Sequence, residues 1–165
     1  MNRAERNDAR RHDGQPGHET AVKMIDSAGI TLATQSFGRA SDPAILLVMG
    51  ATASMLGWPD EFCGDLAQRG FFVIRFDHRD TGQSTTFAPG QADYALEDMA
   101  ADVIAIMDAY GLDHAHLAGM SLGGLISQMV ALQHPGRVAT LTAVILHRIW
   151  VDGTVFEPDV APQMA

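Results

Sequence analysis

The chain predicts an α/β fold: a mostly parallel sheet with helices on both faces. Three observations predict it. Residues 44–49 and 71–76 are short, largely apolar runs, suited to strands covered on both sides, and 138–146 reads as one more apolar strand. Between them, 96–110 and 122–133 repeat apolar residues at helical spacing. A chain of 165 residues with 47% hydrophobic content matches one domain with a sizeable core. Strands alternating with helices in this way are the pattern of parallel crossovers.

Taken in order, residues 1–20 hold four arginines and four acids around Gly14, Pro16 and Gly17. Such a segment cannot bury enough apolar surface to offset its ordering entropy, so it predicts a disordered polar extension. The folded part is expected over 21–149, with an irregular tail over 150–165. Residues 22–26 and 30–37 alternate roughly and flank Ser27-Ala28-Gly29, which predicts a hairpin. The apolar strand 44–49 runs into a small-residue loop, Gly50-Ala51-Thr52-Ala53-Ser54. Pro59 suits the first position of a helix, in which Phe62 and Leu66 share a face and Gly70 ends the run. The single cysteine, Cys63, falls in this helix and is expected to pack as a small apolar residue.

Strand 71–76 leads into the polar loop Asp77-His78-Arg79-Asp80-Thr81-Gly82-Gln83-Ser84. Pairing of Arg79 with a nearby carboxylate would fix its shape. His78 is expected to serve structure rather than catalysis. Asp93 is placed to cap a helix in which Leu96, Met99, Ala100, Val103, Met107 and Tyr110 recur on one face, with Gly111 stopping it. Its methionines read as core filler rather than a metal or cofactor site. Residues 114–118 form the next strand. Leu122, Leu125, Ile126, Met129 and Val130 give the following helix its apolar face, and His134-Pro135 ends it. The apolar strand 138–146 is the sixth.

The motif that organises the chain is Gly119-Met120-Ser121-Leu122-Gly123, between a strand and a helix. Gly-x-Ser-x-Gly in that setting describes a nucleophile elbow, a sharp turn that exposes a serine above the sheet. The residue at the tip takes strained backbone angles, so its neighbours must lack bulk; Gly119 and Gly123 supply this. Ser121 Oγ would stand free, and the Leu122 N–H would lie at the helix start, where unpaired donors favour an oxyanion. A phosphate loop would need a lysine that is missing here, and the dinucleotide fingerprint fails because Ser121 replaces its second glycine.

A net charge of −9 argues against nucleic acid or an anionic membrane as partner. One cysteine excludes an internal disulfide framework and fits a reducing compartment. The polar start of the chain is unlike a secretory signal, and no apolar run reaches membrane-spanning length. The expected location is therefore the cytoplasm.

Several motifs together resemble the α/β-hydrolase family, in particular the esterase branch that includes aclacinomycin methylesterase. They are Leu47-Val48-Met49-Gly50-Ala51, Leu56-Gly57-Trp58-Pro59-Asp60-Glu61-Phe62, the Asp77–Thr86 loop, Leu96-Glu97-Asp98-Met99-Ala100-Ala101-Asp102, the elbow, and His134-Pro135-Gly136-Arg137-Val138. The resemblance runs from about residue 22 to 146. It implies Ser121 as nucleophile, with the N–H groups of Leu122 and Ala51 as oxyanion hole and Thr52 as the second candidate for the latter. It implies a small ester as substrate, such as a polyketide methyl ester, with no metal and no cofactor.

A serine needs a histidine base oriented by an acid. In this family the order is Ser, then Asp or Glu, then His. After Ser121 come His134 and His147, and only then Asp152, Glu157 and Asp159, so that order is not completed here. The pattern predicts a partial fold that stops after about the sixth strand, without the cap or the last third. A His147–Asp152 pair on the rim is the remaining route to a base, and an incidental histidine is the favoured reading. Two functions follow: an ester hydrolase working through a Ser121 acyl-enzyme, or an incompetent remnant acting at most as an interaction module. The sixth strand, with Val138, Leu141, Val144, Ile145 and Leu146, is expected as an apolar edge prone to self-association.

Overall fold

The computed structural model describes residues 21–144, together with the backbone of two short strands at 150–151 and 154–155. Residues 1–20 and the candidate His147–Asp152 pair lie outside the described residues, as do Ile145 and Leu146.

A six-stranded sheet carries the fold. Its strands are β1 (Lys23–Ser27), β2 (Ile30–Phe37), β3 (Ala44–Val48), β4 (Phe72–Phe76), β5 (Ala115–Met120) and β6 (Val138–Val144), in the order β1-β2-β4-β3-β5-β6. β3, β4, β5 and β6 are mutually parallel where they pair; β1–β2 and β2–β4 are antiparallel. The β1–β2 turn is tight because Ala28 (φ 50°) and Gly29 (φ 86°) both adopt positive φ, the twist that a two-residue hairpin requires. Trp150–Val151 and Thr154–Val155 form a separate antiparallel pair, β7 and β8.

Three helices cover the sheet: α1 (Asp60–Gln68), α2 (Leu96–Ala109) and α3 (Leu122–Gln133). The pleat of the central strands decides which face each side chain serves. Leu46, Val48, Ile74, Phe76 and Leu117 pack with Met99, Val103, Met107, Ile126 and Val130 of α2 and α3. Leu47, Met49 and Val73 pack on the other side with Trp58, Cys63 and Ala67. The central strands β3 and β4 are therefore covered on both faces, as their apolar runs predict, while β6 is half-buried to exposed along its length. Met99 and Met107 are core, and Cys63 is fully buried, with burial pushing its thiol up to about 11.

Three local expectations are corrected. Pro59 is the N-cap of α1, in extended backbone, rather than its first residue. Asp93 does not cap α2; Ala95 holds the N-cap position, and its N–H donates to the Asp98 carboxylate at 2.7 Å. The acid that meets the orphan donor sits inside the first turn rather than ahead of it. On α1 the inward residues are Cys63, Gly64 and Ala67, while Phe62 is 42% exposed and stacks on Trp58. Small residues bring this helix close to the sheet, and the larger Phe62 is left at the margin.

A buried arginine was not foreseen. Arg75, the next-to-last residue of β4, is fully enclosed. Its guanidinium pairs with Asp60 at 2.7 Å, bonds Gln35 Oε1 at 2.8 and 3.2 Å, and donates to the Trp58 carbonyl. A charge so placed is tolerable only with its donors met. Here that requirement locks the start of α1 to the sheet.

Candidate active site

The four parallel strands deliver their carboxyl ends to one rim, the place where α/β sheets bind ligands. There β3 releases Met49–Ser54, β4 releases Asp77–Ser84, and β5 ends at Met120. Ser121 follows at once and Leu122 begins α3. Ser121 has φ 50° and ψ −115°, a backbone conformation that costs a non-glycine residue roughly 1–3 kcal/mol. It is held there by neighbours: its N–H donates to the Val144 carbonyl at 2.9 Å, and its carbonyl accepts from Gly124 N at 2.9 Å.

The hydroxyl is the informative part. Serine at a helix N-cap ordinarily turns its oxygen onto the first-turn amides, from extended backbone angles. Ser121 occupies the N-cap of α3, but its side chain makes no capping bond. The positive φ points it elsewhere. Leu122, as the first helical residue, has an amide with no acceptor inside the helix.

Both elbow glycines are places where a side chain does not fit. A Cβ on Gly119 would lie 2.3 Å from the Gly123 carbonyl oxygen. A Cβ on Gly123 would lie 2.1 Å from that of Val48 and 2.5 Å from that of Met49. The first approach closes the turn on itself; the second seats α3 against the end of β3. Gly50 faces the elbow, since a Cβ there would come within 3.4 Å of Met120 O and 3.6 Å of Ser121 Cβ. Ala51 and Thr52 follow, both exposed, with Thr52 at φ 60°.

The 77–84 loop is a structured base for this rim. Arg79 forms a two-pronged pair with Asp102 of α2, Nε to Oδ2 at 2.6 Å and Nη2 to Oδ1 at 2.9 Å. Ser27 Oγ donates to the same carboxylate at 2.6 Å, so one buried acid joins hairpin, loop and helix. That hydrogen bonding holds Arg79 above its usual range. Ser84 Oγ donates to the Asp77 carbonyl at 2.7 Å and accepts from Ala33 N at 2.9 Å. The carboxylate partner expected for Arg79 is thus Asp102.

His78 is buried and its Nε2 lies 2.9 Å from the Met49 carbonyl oxygen. Burial lowers its pKa below the usual imidazole value, against the pull of the Met49 carbonyl and the carboxylates of Asp102 and Asp77. It serves structure, as expected. His116 of β5 bonds Thr140 Oγ1 of β6 at 2.7 Å. Among the described residues, no histidine is hydrogen-bonded to Ser121. Nor do three His, Cys, Asp or Glu side chains group there so as to hold a metal ion.

A sheet of this order, a serine in a strained strand-to-helix turn and flanking glycines without room for a Cβ make up one architecture. A family model described as the alpha/beta hydrolase fold matches residues 43–155. The chain belongs to the α/β-hydrolase family. It is 41% identical over 131 residues to rhodomycin D methylesterase DauP of Streptomyces sp. strain C5, covering 79% of this chain and 44% of that protein. It is 40% identical, with the same coverage, to rhodomycin D methylesterase DnrP of Streptomyces peucetius. Among solved structures it is similar to a hydrolase from Pseudomonas aeruginosa PA01, with TM-score 0.66 and 31% identity over 73% of this chain and 44% of that one. The chain thus spans under half the length of the curated relatives it matches. The family match also reaches nine residues beyond 146, where the sequence motifs stop. No helix among the described residues is long and apolar enough to cross a membrane.

Proposed function

We propose that this α/β-hydrolase cleaves carboxylic esters through an acyl-enzyme on Ser121. One observation carries the reading: Ser121 Oγ is withheld from capping its own helix by a positive φ at the rim of the sheet. In this scheme Ser121 Oγ attacks the ester carbonyl and the alcohol departs with a proton. The N–H groups of Leu122 and Ala51 hold the oxyanion, backbone donors being the usual means of stabilising it. Water then releases the acid. Gly119 and Gly123 make the turn possible. A methyl ester is the proposed substrate class, supported by the methylesterase relatives. Residues 21–149 are proposed as the folded unit, and the single cysteine supports a cytoplasmic setting.

A second reading is that this chain alone turns over weakly or not at all. It is favoured by the order of acids and histidines after Ser121, and by the described histidines, none of which is bonded to that hydroxyl. p-Nitrophenyl acetate hydrolysis by the purified chain, beside Ser121→Ala, separates the two. Turnover lost in Ser121→Ala supports the hydrolase; equal rates at background support the remnant.

A further inference from the structure

The segment that carries Ala51 is held at both ends by two consecutive buried residues. Asp77 is 1% exposed and His78 2%. At the front of the segment, His78 Nε2 meets the Met49 carbonyl oxygen at 2.9 Å. A carbonyl only accepts, so the proton is on Nε2 and the imidazole donates. At the back, Asp77 Oδ1 accepts from Met55 N at 2.7 Å. The second Asp77 oxygen accepts from Gln83 N at 2.9 Å, tying the clamp to its own loop. Gly82, at φ 52°, makes room for this carboxylate; a Cβ there would lie 1.9 Å from Oδ2.

Between the two anchors, packing contributes little. Ala51 and Thr52 are exposed, Ala53 and Ser54 half-buried, and Thr52 sits at φ 60°, a conformation that persists only when its surroundings enforce it. The Met49 peptide has Gly123 against its oxygen on one side and His78 on the other. Its orientation sets the path of Gly50, which lies against Met120 and Ser121, and so the direction of the next amide, that of Ala51.

We propose that Asp77 and His78 are positioning residues: they clamp residues 49–55 so that the Ala51 N–H faces the oxyanion formed at Ser121. This rests on the hydrolase reading above and adds to it a polar pair in the loop after β4. Neither residue touches the substrate; both act through the loop backbone.

The test compares His78→Phe, which removes the donor, with His78→Gln, whose amide N–H reaches toward the same carbonyl. Thermal melting first establishes that each full-length variant folds. If His78→Phe does not fold, His78→Asn, of the same chemistry but one methylene shorter than glutamine, takes its place. Hydrogen exchange at amides 50–54 is expected to quicken about tenfold in His78→Phe and to return toward wild type in His78→Gln. With p-nitrophenyl acetate, kcat is expected to fall about tenfold or more with KM nearly unchanged, since a displaced oxyanion donor is felt in the transition state. Glutamine should restore kcat. Unchanged exchange in His78→Phe overturns the proposal, as does faster exchange with wild-type kcat. If wild type itself shows no Ser121-dependent turnover, the hydrolase reading fails, while the exchange comparison still decides whether the clamp exists.

Discussion

His78 shows how one buried side chain makes the rim sensitive to pH. Burial lowers its pKa in the folded chain below 6.5, so the unfolded chain binds the proton more readily. Stability linked to this group is fully present above pH 6.5 and is lost as pH falls through the folded value. The wild-type melting temperature should therefore fall from pH 7 to pH 5 more steeply than that of His78→Gln. Parallel curves would contradict this. The histidine was legible as a structural residue, since it follows an apolar strand in a polar loop, but its partner was not. A hydrogen bond to the Met49 carbonyl across 29 residues leaves no trace in spacing. Arg75 was hidden for a similar reason: its partners Asp60, Gln35 and Trp58 come together only once the sheet has formed.

At the scale of elements, the elbow and the loop after β4 are held by different physics. The elbow depends on missing atoms. Gly123→Ala places a methyl 2.1 Å from the Val48 carbonyl oxygen, which must push α3 off β3. Overpacking of this kind is expected to cost about 3 kcal/mol, read as a lowered melting temperature. Gly136→Ala, with nothing within 4 Å of the added methyl, serves as the control and should melt as wild type. The loop after β4 depends on a charge pair. Asp102→Ala strands the Arg79 guanidinium and leaves Ser27 Oγ without its acceptor. Removing one member of a buried pair is expected to cost about 3 kcal/mol or more by chemical denaturation. Strands and helices were legible from their periods, because burial on one face or two leaves a pattern in sequence. Element ends were less so. Asp93 and Ala95 differ in how the chain enters α2, and Phe62 is turned out because small residues set the approach of α1; both outcomes depend on tertiary packing.

At the scale of the molecule, β6 is the outermost strand of the sheet among the described residues, and there it pairs with β5. Leu141 is 38% and Val144 41% exposed along it. We propose that this edge pairs with a second copy of the chain, since unpaired strand edges with apolar side chains template association. Size-exclusion chromatography with light scattering should show a dimer whose population rises with concentration, and Leu141→Lys should weaken it. A monomer at all concentrations would contradict it. The strand alternation, the Gly-x-Ser-x-Gly turn and the family were all readable before any coordinates. The β1–β2 hairpin was readable too, whereas the antiparallel pairing of β2 with β4 and the hydrogen bonds beneath Ala51 needed three dimensions.

The central claim is that Ser121 is the nucleophile of an ester-cleaving α/β-hydrolase. Its most direct measurement is peptide mapping by mass spectrometry after incubation with a fluorophosphonate. One adduct is expected, on the peptide bearing Ser121, absent from Ser121→Ala and suppressed by prior unfolding. No adduct on native protein, or an adduct that persists in Ser121→Ala, would contradict it.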